Sequence, residues 1–332
     1  MDATITSGLV SLQTAVDLIN RGHCLVIAGD EWLLTQLPPG QWIAGSIPYF
    51  MGNEGGVMTK DKLFVHDFSV WADGCTIKSY MVEQLDRVTN DAAEHGFSII
   101  IMPGGSEVLS SYARNAPNYD DIFSKPIVGW VSGSHLQDVD RVSPIVIDGK
   151  YREARNNQAV VMHFSLPHNK IALLDIVNLF EQGEGAEIRF PVSGFSAGEC
   201  LIDGKRQHFS DFLSKNKIDT RLPLVADYCG AMVNVSIKSV DDTMGNVHFY
   251  APVFNDIAYR MALPVNDYVG AFEDGISTSN ERWVFSCNCI LNYLFMELEG
   301  KQTGNITGPI TFGEIAYQLL NQTLVYLSIE DY

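Results

Sequence analysis

"SPIVIDGKYREARNNQAVVMHFSL", residues 143–166, is where the choice between a helical and a sheet-rich fold is made. Ile145, Val146 and Ile147 form a β-branched run, Asp148-Gly149 supplies turn chemistry, and "QAVVMHFSL" resumes at strand density. A helix would need apolar residues three and four apart, and this stretch groups them between turns instead. Asp-Gly pairs recur at 73, 148, 203 and 274, which makes hairpins, and therefore antiparallel pairing, the dominant expectation.

Upstream, "FSIIIM" reads as a buried strand followed by "PGGSE", with Ser106 placed to cap a helix, and "KPIVGWVSGS" as a further strand. Leu9, Leu12, Val16 and Ile19 recur at helical spacing before the short buried strand "GHCLVIAG". "EWLLTQL" reads as a helix stopped by Pro38 and Pro39, and "QWIAGSI" as a strand running into the glycine-rich "MGNEGG". "KLFVHDF" and "CTIKSYM" read as paired strands about Asp73-Gly74, and Val82, Leu85, Val88 and Ala92 mark a helix ending at Gly96. Downstream, the polar "EQGEGA" at 181–186 reads as a domain boundary, and strands dominate beyond it, interrupted by the helical "HFSDFLSKNK". The expected fold is α+β: two mixed α/β domains, 1–180 and 187–332, with largely antiparallel, hairpin-rich sheets covered by helices.

Composition narrows the function classes. The 332 residues exceed the size at which one core keeps growing, and 46% hydrophobic with 19% charged residues is a globular profile. A net charge of -18 opposes binding to phosphate backbones and anionic lipid, so neither nucleic acid nor membrane is an expected partner. The N-terminal stretch has no basic region and carries Asp17 among its apolar residues, unlike a signal peptide, and no run of eighteen apolar residues occurs; a cytoplasmic protein is expected. The cysteines Cys24, Cys75, Cys200, Cys229, Cys287 and Cys289 include no C-x-x-C pair, so burial of the first four as small apolar groups is expected ahead of a disulfide framework or structural zinc.

Catalytic patterns are sparse. "GFSAG", residues 194–198, satisfies G-x-S-x-G around Ser196, but the next residues, "ECLIDGK", read as a strand and turn instead of the helix that a nucleophile elbow needs. The eight histidines never fall in H-E-x-x-H, and His163, in the apolar "VVMHFS", reads as a hydrogen-bonded, half-buried side chain. Cys287 and Cys289 share one face of a strand and Asn288 points the other way; no basic partner is visible to activate either thiol.

The order of segments resembles the FIST domain family. "WIAGSIPYFM" and "PIVGWVSGS" are similar to the two glycine-marked strands of its N-terminal domain, and "VIDGKYREARNNQAVVMHFS" to its late hairpin. "CLIDGKRQHFSDFL", "RLPLVADY", "WVFSCNCILNYLF" and "TFGEI" followed by "LNQTLVYLSI" are similar, in that order, to the C-terminal domain. The family's arginine after its serine-cysteine pair is absent, because "NCILNYLF" holds no basic residue. The resemblance implies a non-enzymatic sensor of a small polar, amino-acid-like ligand that signals to a separate partner protein. It leaves two alternatives: a haem-binding nitric oxide sensor using one of the histidines, and a hydrolase using Ser196 or Cys287. The expected cofactor is none, or haem in the first alternative.

A carboxylate between apolar runs, Glu314 in "TFGEIAYQLLNQTLVYLSI", raises a specific question, because burying an unpaired charge is costly. One answer is a ligand site in which Glu314, Gly313, Asn321, Thr323, Cys287 and Asn288 converge, with Glu314 accepting from a ligand ammonium. The other is that Glu314 satisfies backbone N–H groups at a turn and Asn321 caps a strand.

Overall fold

The computed structural model describes residues 7–228, 231–241, 243–276 and 283–331; Cys229 and residues 1–6 of the N-terminal stretch lie outside them. By its contacts the chain forms two compact units. The first comprises Met1–Val177, Ile276–Leu319 and Leu324–Tyr332, and the second Asn178–Gly275 with Leu320–Thr323. The chain therefore leaves the first unit after Val177 and returns to it at Ile276.

Three six-stranded sheets build the first unit, except for the strand-end residues Asn178, Leu320 and Thr323, which belong to the second. One runs in the order Ser7–Val10, Leu63–Asp67, Leu25–Gly29, Trp42–Ser46, Val146–Asp148, Glu153–Arg155. A second runs Gln318–Leu320, Glu314–Ala316, Ile127–Ser132, Gly96–Pro103, Ala159–Ser165, Gly74–Tyr80. The third runs Lys170–Asn178, Thr323–Asp331, Trp283–Cys289, Gly308–Thr311, Tyr49–Gly52, Gly55–Met58. Parallel pairing joins Leu25–Gly29 to Trp42–Ser46, Gly96–Pro103 to Ile127–Ser132, and Trp283–Cys289 to Gly308–Thr311; the other described registers are antiparallel. The α+β, antiparallel-rich class expected from the sequence is the class observed.

Local chemistry explains the elements. Ser11 caps the helix Leu12–Asn20 by accepting from Thr14 N at 3.1 Å, and the helix lays Ala15, Leu18 and Ile19 on Leu25, Ile27, Trp42, Leu63 and Val65. Trp42, Phe64, Phe68, Trp130 and Phe164 are fully buried, each stabilising the unit by about 1.5–3 kcal/mol. In the second unit Phe190 packs edge-on against Phe209, Phe249 and Tyr259, and the helix Phe209–Lys215 contributes Phe209 and Leu213 to that core.

Both "IDGK" stretches are hairpin turns, but they use glycine differently. Asp203 and Gly204 have φ of 47° and 77°, the left-handed pair of a two-residue turn between Glu199–Ile202 and Lys205–His208. Asp148 is followed by a longer loop to Glu153, with Arg152 at φ 58°. Gly149 is needed there for space, since a Cβ would sit 2.3 Å from the Trp42 ring. One local expectation is corrected: "KLFVHDF" and "CTIKSYM" do not pair with each other. Leu63–Asp67 joins Ser7–Val10 and Leu25–Gly29, whereas Gly74–Tyr80 joins Ala159–Ser165 in a different sheet. Phe68, fully buried between them, packs at a tilt against Phe97 and Phe164 where the chain passes from one sheet to the next.

Candidate functional site

Parallel pairing brings the ends of Leu25–Gly29 and Trp42–Ser46 to one edge, with Gly29 opposite Ser46. The residues after each strand are collected at that edge. Asp30 comes directly after the first strand and caps the short helix Glu31–Leu34 by accepting from Trp32 N at 3.0 Å, which leaves the Trp32 indole 71% exposed. Ile47 and Pro48 come after the second. The strand Ile127–Ser132 delivers Gly133, Ser134 and His135 to the same place. Ser46 fastens them: its Oγ donates to Gly133 O at 2.8 Å and accepts from Ile145 N at 3.0 Å, while Gly133 N donates to Ser46 O at 2.7 Å. Lys60, beyond the strand Gly55–Met58, completes an open cleft of about 380 Å³.

The charges in this cleft are unevenly matched. Asp30, Glu31 and Asp138 line it with a single lysine, Lys60, whose Nζ lies 3.6 Å from Asp138 Oδ2 and 4.0 Å from Asp30 Oδ2. Ion pairs this open to water contribute about 0–1 kcal/mol, so either partner can be exchanged for a ligand group at little cost. His135 stacks on Tyr49 with ring centroids 5.8 Å apart, and its Nδ1 accepts from Gln137 N at 3.2 Å, which places the proton of the neutral ring on Nε2. Tyr49 in turn accepts from Leu136 N at 3.1 Å; burial, opposed by that bond, pushes its phenol pKa up. Ser134, also lining the cleft, has a buried hydroxyl with no hydrogen-bond partner among the described residues.

The residues singled out in the sequence fall into two groups. Cys287, Asn288, Gly313 and Glu314 lie in the first unit and are buried. Thr311 Oγ1 lies 3.4 Å from Asn288 O and 3.1 Å from Gly313 O, and Glu314 stands opposite Trp130 in the strand register. Cys287 Sγ donates to Gly129 O at 3.3 Å; burial, then the nearby Glu314 charge, push its thiol pKa up, so it stays protonated. Cys287 and Asn288 line a crevice too narrow to admit a water molecule. Asn321 and Thr323 belong to the second unit, where Asn321 Oδ1 accepts from Ser236 N at 2.9 Å and from Ser236 Oγ at 2.8 Å.

The remaining candidates lie apart from the cleft. Ser196 sits exposed on Gly194–Ala197, opposite His248, with another strand after it and no elbow geometry. His163 is buried with both ring nitrogens engaged, Nδ1 with Ser98 Oγ and Nε2 with Tyr80 Oη, each at 2.8 Å. Cys200 is buried, but Cys24 and Cys75 are not the buried apolar groups expected: both are partly exposed and their sulfurs touch.

The model of DUF6976, a family of unknown function, matches residues 10–330. The chain belongs to the DUF6976 family. None of the curated proteins matches this DUF6976 chain. Among its described residues no helix is long and apolar enough to cross a membrane, and no three of its His, Cys, Asp and Glu side chains are grouped to hold a metal ion.

Sequence reasoning missed the cleft of this DUF6976 protein because its lining comes from four separate segments. A usable signal was nonetheless present. "WIAGSIP" and "WVSGS", singled out as glycine-marked strands, supply Ser46, Ile47, Pro48, Gly133 and Ser134 to it.

Proposed function

We propose that this protein is a non-enzymatic sensor that binds a small, amine-bearing polar ligand, an amino-acid-like metabolite, in the 380 Å³ cleft and communicates the bound state to a separate partner protein. The carrying observation is the placement of Lys60 between Asp30 and Asp138 beside an exposed indole. A zwitterion can use each element: its carboxylate replaces an aspartate on Lys60, its ammonium takes the released aspartate, and its side chain lies against Trp32. Charge-assisted bonds of this type contribute about 1.5–3 kcal/mol each. With three carboxylates to one ammonium in the lining, the ligand that fits best carries at least one amine. Support for binding without chemistry comes from Ser134, whose hydroxyl is not bonded to a base, and from Cys287, whose thiol is held protonated. The resemblance to FIST domains, with their small-ligand sensory role, points the same way.

Isothermal titration of the purified chain with the twenty amino acids and simple diamines tests this reading. Binding by at least one, weakened tenfold or more in Lys60→Met or Asp138→Asn while the thermal midpoint is unchanged, is the expected result. Binding that is indifferent to both substitutions, or no binding across the panel together with no small molecule in native mass spectra of freshly isolated protein, would remove the cleft as the site.

A further inference from the structure

Cys24 immediately precedes Leu25–Gly29, and Cys75 is the second residue of Gly74–Tyr80, so the two cysteines approach from different sheets of the first unit. Their Sγ atoms are 2.7 Å apart, in direct contact, and both side chains are partly open to solvent. Each is held in place independently. Cys24 N donates to Ser69 Oγ at 2.9 Å, and Ser69 Oγ donates in turn to Asp67 Oδ1 at 2.6 Å. The other oxygen of Asp67 holds His23 Nδ1 at 2.5 Å. Cys75 is fixed by the antiparallel register opposite Phe164. Two thiols that evolution had placed only to fill a core would be enclosed, as Cys200, Cys287 and Cys289 are.

We propose that Cys24 and Cys75 form a reversible dithiol–disulfide site that reacts with peroxides. Cys24 is the attacking group. The contact with Cys75 lowers the Cys24 pKa and raises that of Cys75, although burial and the Asp67 charge partly oppose the Cys24 shift. The Cys24 thiolate attacks a peroxide oxygen; the S–O bond forms, the O–O bond breaks, and the leaving hydroxide takes up a proton as water. The Cys75 thiol then loses its proton and attacks the Cys24 sulfur, forming the S–S bond and expelling the sulfenic oxygen as a second water. Two thiols are thereby oxidised by two electrons and one hydrogen peroxide is reduced to two waters. A dithiol reductant reverses the step by thiolate exchange.

The disulfide would tie the start of Leu25–Gly29 to the second sheet, at the opposite end of that strand from Asp30. The full chain, reduced with dithiothreitol and then exposed to a small excess of hydrogen peroxide, tests the proposal by alkylation and non-reducing peptide mapping. The expected product has lost two alkylatable thiols and contains a Cys24–Cys75 cross-linked peptide that dithiothreitol removes. In Cys75→Ser, Cys24 should instead accumulate a dimedone-reactive sulfenic acid. Persistence of both thiols under peroxide that fully oxidises glutathione in the same tube, or cross-linking through other cysteines, would overturn it; the wild-type map decides this even where the variant fails to fold.

Discussion

Replacing His66 by Phe should make the protein less sensitive to acid than the wild type. His66 is enclosed by the rings of Phe64, Phe285 and Phe68 at centroid distances of 5.0, 4.9 and 6.4 Å, with Ser7 Oγ 3.2 Å from its Nδ1. Burial favours the neutral imidazole and holds its pKa down at about 3. In the unfolded chain the same ring titrates near 6.5, so between those values the unfolded state binds a proton that the folded state refuses. The stability this group confers is therefore intact above about pH 6.5, falls as the pH drops, and levels off only below the folded pKa. At about pH 5 the loss from His66 is about 2 kcal/mol, and His163, held down to about 4 chiefly by burial, adds about 2 kcal/mol more. Phe fits the aromatic surroundings and has no proton to bind, so His66→Phe should lose about half as much stability through histidine titration as the wild type. All five tryptophans lie in the first unit with both histidines, so urea unfolding followed by tryptophan fluorescence at about pH 7.5 and pH 5 reads the relevant transition. Equal losses on acidification in the two proteins would refute the claim that His66 is buried neutral.

Particular contacts set the other expected outcomes. Asn321→Ala removes the acceptor of two bonds from Ser236 and leaves a buried N–H without it; a cost of about 1–3 kcal/mol should appear as faster hydrogen exchange at the Ser236 amide. Gly129→Ala would place a Cβ 1.7 Å from Ile100 O within the parallel pair and should prevent soluble expression, whereas Gly74→Ala, with nothing within 4 Å, should leave the thermal midpoint unchanged. Ser106 caps the helix Glu107–Asn115 by accepting from Leu109 N at 3.2 Å, and Ser106→Ala should lower unfolding free energy by about 1 kcal/mol in the same fluorescence assay.

The parts of the fold that were legible are those set by neighbours in sequence. Asp203-Gly204 declares a two-residue turn, Ser106 declares a cap, and the β-branched run at Ile145–Ile147 declares a strand, because each is decided by local backbone preference. Which strand lies beside which is decided elsewhere. The misreading of Leu63–Asp67 and Gly74–Tyr80 as partners came from their closeness in sequence, which the buried Phe68 cancels by sending them to different sheets. The same limit hid the return of the chain at Ile276, which rests on ladders such as Trp283–Cys289 with Thr323–Asp331. It also hid the Cys24–Cys75 contact across 51 positions and a cleft gathered from Asp30, Ser46, Lys60 and Ser134. Glu314 could be recognised as anomalous from its apolar neighbours; that it is wholly buried opposite Trp130 could not.

The return of the chain at Ile276 also sets a schedule for biosynthesis. In the third sheet, Thr323–Asp331 stands between Lys170–Asn178 and Trp283–Cys289, so a ribosome must release the chain through Asp331 before that gap can close. Until then Lys170–Asn178 presents an open hydrogen-bonding edge, as Tyr49–Gly52 does until Gly308–Thr311 emerges, while the second unit, contiguous but for four residues, is already free to condense. A nascent chain arrested before Trp283 should therefore be a strong client for chaperones that shield sheet edges, and one that has emerged through Asp331 should not.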